Sequence, residues 1–369
     1  MGLKVLDLFC GCGGLSTGFE AAGFIVVGGN DFDDAALEAF KLNHQDALTW
    51  SGPIEDLPSE RVLDDLGLRK GELDVLVGGP PCQGFSKNRA RRHVAGAFVD
   101  DPRNYLFKEY LRFVEELRPR AIVIENVPEL LIKEQGRFAT EIESRLGDLG
   151  YSMSAGVLNA ADYGVPQRRR RAIILAARAG PIALPAKSHG ESMDDGLFPL
   201  EPYRTIRDAI GDLAGLGEGE TWTSYRREPT TTYQKERRVG VSELTEHHAW
   251  RMSEVQRERL TYLGEGDGAE KLPPHLAPKS GYGSAYRRMA WDIPALTITT
   301  WMYHPGSGMF YHPYDARTIT VREAARLQSF DDNVRFIGGK TARCRQVGNA
   351  VPALLAAAIA GSVRARLVK

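Results

Sequence analysis

With 369 residues, 43% hydrophobic and 26% charged, the chain can bury one large globular core or two ordinary ones. A formal net charge of −1 excludes a global basic field, so a polyanionic partner would have to be held by local patches. The longest apolar stretch, Pro352 to Val363, is shorter than a membrane span, and Met1-Gly2 leads into a strand pattern with no signal-peptide profile. Cys10, Cys12, Cys82 and Cys344 show no zinc-site spacing, so the expectation is a cytoplasmic protein with no membrane partner, no disulfide and no metal.

The first half reads as strand and helix in alternation. Leu3 to Phe9 is an apolar strand, followed by a turn with Gly11, Gly13 and Gly14 and a helix through Leu15, Phe19 and Ala22. A second strand, Phe24 to Val27, closes near Asp31. Glycines admit a ligand close to backbone, and an acid about 20 residues on accepts both hydroxyls of a ribose. The turn, Phe9-Cys10-Gly11-Cys12-Gly13-Gly14, departs from the dinucleotide pattern, which favours S-adenosylmethionine over NAD.

Leu73 to Val77 has the composition of a buried parallel strand, and it leaves through Gly78-Gly79-Pro80-Pro81-Cys82-Gln83-Gly84-Phe85-Ser86. Open α/β sheets gather ligands at the carboxyl ends of such strands. Cys82 there is a soft nucleophile when ionised, or else a small buried hydrophobe. The loop beyond it carries Lys87, Arg89, Arg91 and Arg92 and is longer than an ordinary βα connection. Helical spacing then runs from Tyr105 to Leu117, and the strand Ala121 to Ile124 delivers Glu125 at the same sheet end as Cys82. Gln167-Arg168-Arg169-Arg170-Arg171 precedes the strand Ala172 to Ala177, so alternate arginines should share a face. From about Pro181 to Ala316 the alternation breaks, and Gln346 to Pro352 leads into an alanine-rich helix, Ala353 to Ala360. The expected fold class is α/β: a doubly wound, Rossmann-like sheet with a smaller inserted domain.

In combination and in order, these segments resemble the DNA (cytosine-5) methyltransferases of bacterial and phage type. The resemblance rests on the glycine loop Asp7 to Phe24, the nucleophile loop GGPPCQGFS, Glu125-Asn126-Val127, Gln167 to Arg171, RTITVREAARLQSF (Arg317 to Phe330) and QVGNAVP (Gln346 to Pro352). It implies a catalytic S-adenosylmethionine-binding domain over 1–180, a target-recognition domain over 181–316 and a segment, 317–369, that completes the catalytic domain. The implied activity is sequence-specific transfer of a methyl group to carbon 5 of a cytosine flipped out of duplex DNA.

The resemblance also implies residue roles. Cys82 adds to carbon 6 of the ring, Glu125 hydrogen-bonds ring nitrogen 3 as a carboxyl whose pKa burial raises, Arg171 lies on the carbonyl oxygen, and Arg169 supports the site. Asp7, Phe9, Gly11, Gly13, Asp31, Phe32, Pro80, Leu106, Asn349 and Val351 are implied for the cofactor, with Ile54 packing on its adenine. Pro53 stands where the family commonly has an aspartate for the adenine edge, which leaves Asp56 as a substitute. Gln83, Ser86, Lys87, Arg89, Arg91, Arg92, Gln167 and Thr299 are implied on DNA. A monomer located in the cytoplasm and on the nucleoid is expected, in a restriction-modification or other DNA-methylation setting, with a restriction endonuclease of the same site as a companion. The alternatives are an RNA (tRNA) cytosine-5 methyltransferase and a non-catalytic DNA-binding homologue.

Overall fold

The computed structural model describes residues 2–81, 104–191, 199–278 and 283–368. Seven strands form one sheet: β1 (Lys4–Leu8), β2 (Ile25–Asp31), β3 (Leu48–Ser51), β4 (Val75–Gly78), β5 (Ala121–Asn126), β6 (Ser152–Asn159) and, beyond the two-residue β7 (Gln167–Arg168), β8 (Arg170–Ala177). Their order is β3-β2-β1-β4-β5-β8-β6. β1 to β5 pair in parallel, and β8 runs against both β5 and β6. The expected doubly wound sheet is therefore present, with one reversed strand. β4 and β5 sit at its centre because they are apolar without alternation, and every residue of both is buried.

The described residues divide into two compact units, 1–159 with 170–186 and 355–369, and 160–169 with 187–354. All seven strands of the sheet lie in the first, with α1 (Gly14–Ala21), α2 (Asp34–Asn43), α3 (Ser59–Leu66), α4 (Tyr105–Leu117), α5 (Glu129–Ile132) and α6 (Arg137–Asp148). α4 follows the predicted spacing. It buries Phe107, Tyr110, Leu111, Phe113, Val114 and Leu117, then stops at Arg118, which takes the left-handed conformation at φ 52° before Pro119. Tyr110 spans the sheet centre, its hydroxyl 3.1 Å from the carbonyl oxygens of both Leu76 and Val123.

The second unit has little sheet: β9 (His189–Gly190) pairs with β10 (Glu201–Pro202), and β11 (Ala295–Leu296) with β7. Its helices α7 (Ile206–Ile210), α8 (Thr232–Arg237), α9 (Glu254–Thr261) and α10 (Val321–Leu327) each start at a reciprocal capping box, set by Thr205/Asp208, Thr231/Gln234, Ser253/Gln256 and Thr320/Glu323. α11 (Lys340–Asn349) follows, and α12 (Ala353–Leu367) leads back into the first unit. The segment from Lys340 to Leu367 has the composition of a membrane span, yet its most apolar window is 67% buried and the helix breaks at Val351-Pro352.

The domain boundaries differ from those expected. The return to the first unit comes at residue 355, where 317 was expected, and the chain enters the second unit at 160–169 and again after 186, where a single passage after 180 was expected. The reason is a set of buried ion pairs. Arg317 holds Asp315 and Glu323 at 2.7 Å, and Arg326 holds Asp212 at 2.7 Å and Asp332 at 2.6 Å. Burial alone would raise the Glu323 carboxyl, but the guanidinium of Arg317 outweighs it and keeps that carboxyl far below the usual range. A buried charge is tolerated only beside its partner. Asp212 and Asp315 therefore keep the segment beginning at Arg317 in the second unit.

Candidate active site

The site is built where the chain order of the sheet reverses. β1 and β4 are neighbours, with Leu8 opposite Gly78, and in doubly wound sheets ligands bind beyond the carboxyl ends of the strands at such a point. Leu8 is also opposite Asn30, Gly78 opposite Ile124, and Asn126 opposite Ala172. Phe9, Asp31, Gly79, Glu125 and Arg171 consequently emerge along one sheet edge, as the sequence predicted for Glu125 and the strand leading to Cys82.

The glycine loop is tight. Phe9 has φ 59°, unusual for a residue with a side chain, and Gly11 and Gly13 have φ 55° and 94°. A Cβ on Gly13 would come within 2.3 Å of the His44 ring, so the loop admits only glycine there. Asp31 ties the loop to β2: its carboxylate accepts the N–H of Gly11 at 2.8 Å and that of Asp33 at 2.9 Å. Burial raises its pKa, opposed by these two N–H groups. The Phe32 ring beside it is 68% exposed, and a Cβ on Gly11 would meet nothing within 4 Å. An acid with lone pairs to spare, an exposed ring and open space over a glycine suit an adenosyl group. Leu106 is half-buried, Pro80 is buried, and Ile54 is 2% exposed within the core; Pro53 and Asp56 are exposed.

Asp7 does not take the ligand-facing place expected of it. It is 1% exposed, below the loop, and Ser16 donates its hydroxyl to Oδ2 at 2.8 Å. Oδ1 is buried without a hydrogen-bond partner, and burial lifts the pKa to about 7. Asp7 anchors the turn from β1 into α1.

At the other side of the crevice Arg171 pairs with Glu125, Nε to Oε1 at 2.8 Å, both side chains largely buried. A Cβ on Gly79 would lie 3.2 Å from Glu125 Oε2, so glycine allows the exit of β4 to run beside that carboxylate. Asn126 was not singled out from the sequence, yet it positions this exit: Nδ2 donates to the Pro80 carbonyl at 2.9 Å while Oδ1 accepts the Val127 N–H. Its only signal was its place in Glu125-Asn126-Val127. Cys82, Gln83, Ser86, Lys87, Arg89, Arg91 and Arg92 lie outside the described residues.

The arginine run alternates as predicted, with Arg168 and Arg170 exposed and Arg169 and Arg171 turned inward. Arg169 is 1% exposed and donates to the carbonyls of Ile298 and Gly348, both at 3.0 Å, which makes it a positioning residue rather than a group presented to substrate. Gln167, expected on DNA, is fully buried. Its Nε2 donates to Leu327 O and Gln328 Oε1, and its Oε1 accepts the Ile298 N–H, so no group is left for a phosphate or base. Both side chains brace the Thr297-Ile298-Thr299-Thr300 segment of the second unit. Gly348 is required for the same packing, since a Cβ there would sit 2.4 Å from Thr300 N. Thr299 is half-buried and accepts the Trp301 N–H at 3.4 Å. Asn349 is exposed and Val351 is 6% exposed, both in the second unit.

A doubly wound sheet with a glycine loop after β1, an acid at the end of β2 and a carboxylate–guanidinium pair at its edge has the layout of an enzyme that takes an adenosyl cofactor. Residues 3–365 match the model of the C-5 cytosine-specific DNA methylases, and the chain belongs to that family. It is 36% identical to the Type II methyltransferase M.AgeI of Thalassovita gelatinovora, over 98% of this chain and 99% of that one. To the Type II methyltransferase M1.HphI of Haemophilus parahaemolyticus it is 35% identical, over 98% and 87%. The fold matches that of an E. coli prophage-encoded protein assigned as a DNA modification methyltransferase, at TM-score 0.76 and 23% identity over the whole of both chains. The chain is a DNA cytosine-5 methyltransferase.

Proposed function

We propose that the enzyme methylates carbon 5 of a cytosine flipped out of duplex DNA, with S-adenosylmethionine as donor and Cys82 as covalent nucleophile. The observation that carries this reading is the meeting of the Glu125–Arg171 pair with the Asn126-tethered Pro80 segment at one sheet edge. S-adenosylmethionine, when bound, supplies a methyl group on a sulfonium; the fit of Asp31, Phe32 and the open face of Gly11 supports binding there.

Carbon 5 of cytosine is too weak a nucleophile until carbon 6 bears an added group. The Cys82 thiolate forms the carbon–sulfur bond at carbon 6, and the displaced electron pair moves into the ring. Glu125 supplies a hydrogen bond at ring nitrogen 3 and Arg171 stabilises the carbonyl oxygen, so their charges act where ring charge develops. After carbon 5 takes the methyl group, loss of its proton and expulsion of the thiolate restore the ring. The Type II names of the relatives support a restriction-modification role for a cytoplasmic enzyme.

Sequencing of 5-methylcytosine in DNA from cells that express the chain identifies the target. A duplex with 5-fluorocytosine at that target should trap the protein covalently, because fluorine cannot leave as a cation, and Cys82→Ser should abolish both trapping and turnover. Turnover by Cys82→Ser would sink the covalent mechanism, and preferential methylation of tRNA in competition with duplex would sink the DNA assignment.

A further inference from the structure

The second unit carries an ordered stack of rings and one cation on its surface that the reaction does not use. Trp301 is 60% exposed and stacks on Tyr303, ring centroids 5.8 Å apart and planes 27° apart. The Lys340 ammonium lies 4.8 Å from the Tyr303 ring centre and 4.5 Å from that of Trp250. Trp250 meets His248 edge-on at 6.4 Å, and His248 Nδ1 lies 2.7 Å from the Thr221 hydroxyl. Among the described residues Lys340 makes no ion pair; its ammonium lies against two aromatic faces.

The outer member of this stack is held in place. The Trp301 carbonyl accepts the His304 N–H at 2.8 Å and the Ser307 hydroxyl at 2.7 Å, and its own N–H is directed at Thr299 Oγ1. One face of a large ring is thus ordered by Tyr303, and the ring remains 60% exposed. The chain around Lys340, from Val334 to Gly348, contains Arg335, Lys340, Arg343 and Arg345 and no acidic residue, with Arg343 paired to Glu246 at 2.8 Å. An exposed aromatic whose stack carries a lysine ammonium from a basic stretch of chain is the composition of a surface that stacks nucleobases.

We propose that Trp301 stacks against a base of the substrate DNA at an opened step, with the Tyr303–Lys340–Trp250 stack as its rigid support. The inference rests on the base-flipping reading above, since a duplex offers a base face only where its stack is interrupted. Trp301 is then a positioning residue for DNA and not for the cofactor.

The test uses the full chain, the duplex target identified by sequencing, and the variants Trp301→Ala and Trp301→Phe. Trp301→Ala should weaken duplex binding and raise KM for DNA by about tenfold or more, with cofactor affinity unchanged within about twofold. Trp301→Phe should restore both to within about threefold of wild type. Tryptophan emission, quenched when wild type binds the duplex, should be quenched less in Trp301→Phe at saturation. Equal duplex affinity of Trp301→Ala and an active wild type overturns the inference, as does a loss that affects cofactor and DNA alike. A wild type that methylates no duplex cytosine overturns the functional reading itself, and so separates the two failures.

Discussion

Asp7 gives the fold a pH dependence that can be measured. Burial lifts its carboxyl from the ordinary 3.8 to about 7; the Ser16 hydrogen bond and His44 pull it back, and Asp31 pushes it further up. In the unfolded chain the same group ionises near 3.8. Between about pH 4 and 7 the native state therefore binds one more proton than the unfolded state, so stability falls as pH rises through that window and levels off above it. At about 1.4 kcal/mol per pH unit the whole interval is worth about 4 kcal/mol, of which about 3 kcal/mol falls between pH 5 and 8. Asp7→Asn keeps the shape and an acceptor for Ser16 but cannot ionise. Urea unfolding of both proteins at pH 5, 6, 7 and 8, followed by circular dichroism without cofactor, should show wild type losing about 3 kcal/mol relative to the variant across the series. Parallel curves would refute the reasoning, because they would mean that Asp7 ionises at the same pH folded and unfolded.

Arg171→Ala should lower kcat by about 100-fold or more while leaving the S-adenosylmethionine dissociation constant unchanged, measured by single-turnover methylation and calorimetry. Asn126→Ala takes the donor from the buried Pro80 carbonyl and should reduce kcat/KM and stability by about 1–3 kcal/mol, with no rescue by Asn126→Asp, which lacks a donor. Arg326→Met removes the guanidinium shared by Asp212 and Asp332, leaving Asp212 to Arg238 and Asp332 to Arg322 and Tyr225, and should destabilise the second unit by about 3 kcal/mol, seen as early loss of exchange protection in α10. Replacement of Arg89, Arg91 or Arg92 by alanine should weaken binding to all duplexes alike and reduce the salt slope by about one for each phosphate that is no longer neutralised; a change in sequence choice at constant slope would contradict it.

The sheet was legible wherever apolar residues ran without interruption. β1, β4, β5 and β8 announce burial on both faces, and Glu125 follows such a run, so its place at the sheet edge follows from strand geometry. The alternation of Arg168 to Arg171 was legible for the same reason. The inner members of that run were harder to place. Gln167 and Arg169 have the chemistry of DNA-binding side chains, and what sets their fate is backbone from Ile298, Leu327 and Gly348, 129 to 179 residues away for the three bonds concerned. Arg326 likewise owes its burial in part to Asp212, 114 residues away, while Arg317 and Arg322 are buried among the nearer acids at 315, 323 and 332. Contacts with residues more than a hundred positions away leave no local periodicity to read. Asn126 escaped notice because a side chain that holds a neighbouring loop looks, in sequence, like any polar residue after a strand.

The division of the chain into units bears on how the enzyme is made. The backbone crosses between them after residues 159, 169, 186 and 354, so neither unit is a continuous stretch. α12 is the last piece of the first unit: Arg364 reaches the Ala22 carbonyl at the end of α1, and Arg120 reaches the Leu367 carbonyl. Chains emerge from the ribosome with the N-terminal end first. The glycine loop and the Glu125 strand are thus synthesised early, but the unit that holds them cannot close until residues 355–369 have followed the entire second unit out. A message cut short between Arg171 and α12 yields a protein that carries Cys82, Glu125 and Arg171 on an unfinished first unit.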